Sequence, residues 1–269
     1  MSTTPPLTAY IEGIGILGPG LADWPSAAAI FSAAAPYIAA PTILPAPLAL
    51  PPAERRRTGP VVKLALAIGF EATVRAGIER GALPTVFSSS GGDGYNCHEI
   101  CQVLASSDRQ LSPTRFHNSV HNVAAGYWSI AAAATAAANV LCAFDASFGA
   151  GLLEALTQVA VEQTPVLLLA YDTQYPDPLH AKRPIPDAFG VALVLAPDER
   201  ASALAKLTAV LTAGGSDRMS EPALEAMRVS IPAARALPLL RKLARRERGP
   251  VTLDYLIDTR LALEVEPCS

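Results

Sequence analysis

Three stretches of the 269-residue sequence carry side chains at spacings that could do chemistry. The first is the run Leu141-Cys142-Ala143-Phe144-Asp145-Ala146-Ser147, read as the end of a strand, a sharp turn and the start of a helix. A strand that enters a helix through a tight corner projects one side chain beside the helix N-terminus, where unpaired N–H groups and the helix dipole favour negative charge. Enzymes place nucleophiles there. In this chain the corner residue is Asp145, a carboxylate, and the expectation is that it caps the following helix through backbone N–H groups. Cys142 is the nearest thiol, but it falls in the strand before the corner, without the turn residues that activate a nucleophile. Ser147 has no identifiable base.

The second stretch holds His117, Asn118, His121 and Asn122, polar side chains at the mouth of an apolar helix. They either cap helix ends or join a hydrogen-bonded network with Asp145. The third holds Cys97 and Cys101, which share a helical face at i, i+4. No second pair of ligands stands at a recognisable metal spacing, so they are expected to be small buried hydrophobes, with no metal and no cofactor bound. The run Ser88-Ser89-Ser90-Gly91-Gly92-Asp93-Gly94 lacks the lysine of a P-loop and the spacing of a dinucleotide-binding turn, which argues against nucleotides.

The elements that must position these residues follow from periodicity and punctuation. Tyr10–Leu17 reads as a buried strand closed by Gly18-Pro19-Gly20, Trp24–Ala34 as a small helix, and Pro36–Pro52 as an extended, proline-punctuated surface segment. Glu54–Arg57 is a charged turn. Its arginines Arg55, Arg56 and Arg57 are either a solvated loop or a contact for a carrier or partner protein. Val61–Ala76 has helical spacing with Gly77 as its C′ residue, Leu83–Phe87 is a strand and Tyr95–Ala105 a helix. Val123–Ala138 reads as a fully buried apolar helix in which Tyr127 and Trp128 fill core or interface volume. A short strand Asn139–Ala143 follows, and then the helix after Asp145. Pro165–Tyr171 is a continuous apolar strand of the type buried on both faces, and Phe189–Leu195 reads as a further strand. Strands alternating with helices imply an α/β fold with a mixed central sheet covered by helices on both faces. In the tail, Leu204–Thr212 reads as a strand, Glu221–Met227 as a helical turn and Ala236–Arg248 as an amphipathic basic helix. Val251–Ile257 and Arg260–Val265 add edge structure.

Composition excludes some classes. With 51% hydrophobic and 17% charged residues, the chain has material for a large core and reads as a soluble globular protein. A net charge of −3 gives no basic field for nucleic acid. Four cysteines and no export signal in Met1–Tyr10 fit a reducing, cytoplasmic setting. Val123–Phe144 carries no charge and is long enough for a bilayer, but it is alanine-dominated and interrupted by Gly126, Ser129, Thr135 and Asn139, so no membrane span is expected.

The runs SPTRFHNSVHNVAAGYWSI and LCAFDASFGAGLLEAL together resemble the N-terminal half of a beta-ketoacyl synthase of the thiolase-like fold. In that family the nucleophilic cysteine opens a helix in a pattern of the type Cys-Ala/Ser-Ser-Gly-hydrophobic, and Asp145-Ala146-Ser147-Phe148-Gly149 lies over it with Asp145 at the cysteine's place. AYIEGIGILGPG, PPAERRRTGPVVKLALAIGFEATVRAG, TVFSSSGGD and KRPIPDAFGVALVLAP resemble further elements of that half, in the right order. The resemblance implies a thiolase-like half over residues 7–197, with residues 198–269 a small C-terminal extension packed on it. The second half of a ketosynthase, with its catalytic histidines, is not represented, since all four histidines lie at or before His180.

Condensation needs a thiolate and assisting histidines. The resemblance therefore implies a non-catalytic subunit of the chain length factor type, in type II polyketide, aryl polyene or fatty-acid-like biosynthesis. Its implied partners are an active ketosynthase, or a second copy of itself, and an acyl carrier protein, with Val140, Leu141, Ala143 and Trp128 at the pairing interface. Two other classes stay open: a stand-alone acyl-handling enzyme using Cys142, and a ligand-binding module built on a thiolase-like half.

Overall fold

The computed structural model describes residues 6–269; the opening Met1–Pro5, part of the segment read as lacking an export signal, lies outside them. In chain order the elements are β1 (Leu7–Leu17), α1 (Trp24–Phe31), α2 (Pro52–Arg55), α3 (Pro60–Ala76), β2 (Thr85–Ser88), α4 (Gly94–Ala105), α5 (Pro113–His117) and α6 (Val123–Ala131). Then come β3 (Ala138–Leu141), α7 (Ser147–Glu162), β4 (Val166–Asp172), α8 (Leu179–Lys182), β5 (Phe189–Ala196), β6 (Ala205–Thr212), α9 (Pro222–Ser230), α10 (Leu237–Ala244), β7 (Gly249–Asp254) and β8 (Arg260–Pro267).

The strands form one eight-stranded mixed sheet in the order β3-β2-β4-β5-β1-β6-β8-β7. β2 pairs in parallel with both β3 and β4, and the remaining neighbours are antiparallel. The α/β fold with helices on both faces is thus present. The C-terminal extension adds β6, β8 and β7 to the edge of β1, so it enlarges the same sheet. Its α9 is tied to β7 by the buried Arg228, whose guanidinium lies 2.5 Å from Asp254 Oδ2 and 2.8 Å from Glu225 Oε1. That bond to Arg228, above all else, holds the Glu225 carboxyl down to about 2.

Two apolar cores flank the sheet. On one face α7 contributes Phe148, Leu152, Leu156 and Val159, packed with Leu237 and Leu240 of α10. On the other, α3 and α6 bury Leu64, Ile68 and Trp128 against Phe87 of β2 and Leu169 of β4. The expected strand Pro165–Tyr171 is β4, buried along its whole length. α3 ends at Gly77 in the left-handed conformation (φ 63°), the C-cap read from the sequence.

α3 crosses β1 at backbone contact. A β carbon at Gly13 would stand 2.2 Å from the Ala72 carbonyl oxygen, and one at Gly15 would stand 2.0 Å from that of Ile68. Glycine at these two places is what lets the helix sit on the sheet at all. Glu71, on the same helix, then accepts from the backbone N–H groups of Ile16 (2.9 Å) and Trp24 (2.7 Å), locking the end of β1 to the start of α1.

Two expectations are corrected. The helix expected over Val123–Ala138 stops at Ala131, despite a run of alanines that favour helix. Ala133 turns left-handed (φ 50°), and Thr135 N–H and Ala137 C=O pair with Gly81 C=O and Thr85 N–H, because the chain must reach β2 in time to lie beside it as β3. That helix is also not buried all round: Val123, Ala124, Ala125, Tyr127 and Trp128 face the core, whereas Gly126, Ser129 and Ile130 face outward. β3 is an edge strand, with Ala138 and Asn139 exposed. Among the described residues no helix is long and apolar enough to cross a membrane.

Gly15→Ala is expected to destabilise the protein by roughly 1–3 kcal/mol through overpacking, read as a lower urea midpoint. Gly126→Ala should do the reverse by about 1 kcal/mol, since that helical glycine faces open space. Equal effects of the two substitutions would refute the close-approach account.

Candidate functional site

The parallel strands β3, β2 and β4 all point their C-terminal ends to one side, and the polar residues of the chain's best-defined cluster gather there. β3 runs out through Cys142 and Ala143 into a 3-10 turn, Phe144–Ala146, which passes directly into α7. Phe144 adopts φ 51°, a left-handed conformation that costs a non-glycine residue energy. The strand-to-helix corner read from the sequence is therefore real, and its backbone is strained.

Asp145 does not cap α7, contrary to expectation. The N-cap of that helix is Ala146, without a side-chain hydrogen bond. Ser147 instead holds the turn: its hydroxyl accepts from Ala143 N–H (3.2 Å) and donates to the Phe144 carbonyl (2.7 Å). The Asp145 carboxylate points away from the helix to two guanidinium groups, Arg183 Nη2 at 2.6 Å and Arg235 Nη2 at 3.3 Å. Arg183 comes from the loop between β4 and β5, and Arg235 from a 3-10 turn, Pro232–Ala236, before α10. Two cations from distant parts of the chain engage the one carboxylate, in place of the local N–H groups of the helix. Arg183 also lies 3.7 Å from the ring centroid of Phe144 and covers the strained residue.

Beneath the corner lies Asp172, the last residue of β4, 2% exposed. It accepts from Ser90 N–H (2.9 Å) and the Ser90 hydroxyl (2.6 Å) on one oxygen and from Ala233 N–H (2.9 Å) on the other. Burial pushes its carboxyl up to about 6, and the bonds from Ser90 and Ala233 and the nearby Arg183 pull the other way. Ser88 donates to the Ser147 carbonyl at 2.6 Å. Tyr175 packs where β carbons on Gly91 and Gly94 would stand, 1.7 and 1.9 Å from its atoms, so the glycine loop after β2 is a seat for that ring. The Cys142 thiol is exposed and donates to the Ser90 carbonyl at 3.1 Å.

The other expected site residues fall elsewhere. None of His117, Asn118, His121 and Asn122 hydrogen-bonds to Asp145 among the described residues; its oxygens are engaged by Arg183 and Arg235. Asn118 is buried and donates to the Arg57 carbonyl (2.8 Å) while accepting from the Tyr127 hydroxyl (3.3 Å). His121 keeps a buried Nε2 without a partner, His117 is exposed, and Asn122 precedes α6 without a side-chain cap.

Of the arginine turn, Arg55 donates to the carbonyls of Leu48 and Leu50, Arg57 pairs with Glu54 at 3.1 Å, and Arg56 is exposed. Val140, Leu141 and Ala143 are half-buried on the sheet edge. Trp128 is 1% exposed, packed between Phe70 and Phe87, and so belongs to the core and not to any interface. Cys97 and Cys101, expected to be buried, are both exposed.

Asp172, Arg235, the Ser88–Ser90 run and Tyr175 were not singled out as site residues from the sequence. The available signal for Asp172 was a carboxylate closing the apolar run PVLLLAY, where a charge at the C-terminal end of a buried strand needs partners.

A nucleophile-type corner at the C-terminal edge of parallel strands, on a mixed sheet covered on both faces, defines a ketosynthase-like α/β protein. The family model described as "Beta-ketoacyl synthase, N-terminal domain" matches residues 26–247, and the chain belongs to that family. Comparison with curated proteins finds no match.

Solved structures share the fold. One is a ketosynthase (ApeO) in complex with its chain length factor (ApeC) from Xenorhabdus doucetiae, with TM-score 0.72 and 24% identity over 96% of this chain and 99% of the matched chain. Another is the ishigamide ketosynthase/chain length factor, with TM-score 0.73 and 12% identity over 97% and 100% of the two chains. A third is the AntDE:AntF complex, a type II acyl-carrier protein with its ketosynthase bound to the hexaketide, with TM-score 0.75 and 9% identity over 98% and 100%. The fold is accordingly the thiolase-like one that the sequence resemblance implied.

If Asp145 acts through its charge, Asp145→Asn and Asp145→Ala should destabilise alike, each by about 1 kcal/mol, with the loss shrinking in high salt. An asparagine variant as stable as wild type would restore the capping role. Asp172 gives a pH signature. Its native carboxyl holds a proton between about pH 4 and 6, where the unfolded chain's does not, so its contribution to stability falls as pH rises through that window and levels above it. The urea-midpoint difference between wild type and Asp172→Asn should therefore change across pH 4–6 and be flat above; a difference constant from pH 4 to 8 would refute it.

Proposed function

We propose that the chain is a non-catalytic ketosynthase-like subunit of the chain length factor type, which pairs with an active ketosynthase and works on intermediates held by an acyl carrier protein. The setting is type II polyketide, aryl polyene or fatty-acid-like biosynthesis. The observation that carries this reading is Asp145. At the position matching the family's nucleophile, the side chain is a carboxylate whose two oxygens are engaged by Arg183 and Arg235. A carboxylate so held forms no thioester, and its ion pairs give the corner a structural use that does not require chemistry. None of the four histidines hydrogen-bonds to Asp145 or Cys142 among the described residues, so no general base is assembled at either.

The edge position of β3 supports the same reading. The strand offers one row of N–H and C=O groups on its outer side, flanked by the half-buried Val140, Leu141 and Ala143, with Phe144 exposed beyond them. Such an edge is a template for another strand. The exposed Arg56 and Arg57 give the arginine turn outward cations for an acidic carrier surface. The coverage of 99% of a chain from a ketosynthase and chain length factor complex accords with a subunit of this size.

The test is direct. The purified protein, incubated with acyl and malonyl carrier protein and followed by intact mass, should gain no stable acyl adduct; an adduct on Cys142 would promote the acyl-handling enzyme instead. Co-expressed with its active ketosynthase, the chain should elute as a complex. Val140→Lys should weaken that complex by 100-fold or more, since an unpaired ammonium in an interface costs several kcal/mol. A variant that still pairs at wild-type strength would place the interface elsewhere.

A further inference from the structure

Neither the corner nor the proposed pairing uses the two cysteines of α4. Cys97 and Cys101 are both exposed, one helical turn apart on the continuous helix Gly94–Ala105. The opposite side of that helix is anchored: Asp93 caps it by accepting from Asn96 N–H (3.0 Å), Asn96 donates to the Arg115 carbonyl (2.8 Å), and Glu99 pairs with Arg115 (2.9 Å). The thiol face is therefore held outward by these contacts.

The spacing selects the chemistry. Residues at i and i+4 on a helix have β carbons about 5–6 Å apart. A disulfide requires about 3.5–4.5 Å, so oxidation to one would have to break α4. A single bridging ion does not, because it stands between the two sulfurs and holds them further apart than an S–S bond would. Tetrahedral zinc needs four ligands, and among the described residues no group of three or more His, Cys, Asp or Glu is placed to hold a metal. His98, adjacent in sequence to Cys97, points off the shared face, because i and i+1 do not face each other on a helix. Two soft sulfurs without further ligands match a soft ion content with two donors.

We propose that Cys97 and Cys101 form a two-coordinate site for copper(I). The ion arrives as a complex with small-molecule thiolates. Two sulfur–copper bonds to the donor break and two to the protein form, the protons of Cys97 and Cys101 pass to the released thiolates, and no electron moves.

The experiment uses the full-length, reduced protein under anaerobic conditions, titrated with copper(I) against the competing chelator bicinchoninate. Wild type should retain one copper per chain. Cys97→Ser and Cys101→Ser should each weaken retention by about 100-fold, because losing one donor removes the intramolecular advantage of the second. Cys142→Ser and Cys268→Ser should leave it unchanged. Circular dichroism checks that each variant folds, and sedimentation checks that copper does not join two chains. Retention by either single α4 variant at wild-type strength, no retention by wild type, or copper held only between two chains would each overturn the assignment.

Discussion

The site depends on a carboxylate without a direct ion pair. Asp172 sits at the end of a strand buried along its whole length, where an uncompensated charge would cost several kcal/mol. Its compensation is a set of donors from two other segments, Ser90 behind β2 and Ala233 ahead of α10. Because the bonds must be made for the charge to be tolerable, the segments must come together. Ala233 fixes the 3-10 turn that carries Arg235, and Ser90 fixes the loop whose carbonyl receives Cys142 and whose glycines seat Tyr175. One desolvated group thereby sets the positions of Ser90, Cys142, Tyr175 and Arg235, side chains drawn from four places in the sequence.

Above it, the corner stores strain and covers it. Phe144 is held at a positive φ by the need to turn from β3 into α7 within a few residues, and its ring is left 61% exposed. Arg183 lies over that ring while bonding Asp145 next to it, so one guanidinium serves two neighbours. Belonging to the ketosynthase family accounts for the shape of this corner. The chain's own residues account for what fills it: a carboxylate between two arginines.

Much of the fold was legible because the signals were local. The unbroken apolar run before Tyr171 announced a strand covered on both faces, and Gly77 announced the end of α3 by its freedom to turn left-handed. What escaped was decided by distant partners. Alanine propensity carried α6 seven residues too far, since nothing in Ala132–Ala138 reveals that Gly81 and Thr85 will claim it. Asp145 was read as a cap because capping is the local use of a carboxylate at that place, and the arginines that take it lie 38 and 90 positions away. Trp128 could fill either core or interface by composition. Only the slot opened by Gly69, whose β carbon would stand 2.5 Å from the indole, decides for the core.

The two ends of the sheet are unlike. At β7 the outer edge is occupied, with Asp217 N–H bonded to the Thr252 carbonyl and the Asp217 carboxylate accepting from Thr252 N–H, whereas β3 keeps its outer row of backbone groups open. A ribbon with both ends open could add copies without limit, as fibrils do. This one is blocked at Thr252 on one side and open at β3 on the other, so the two edges differ in what a further strand would meet.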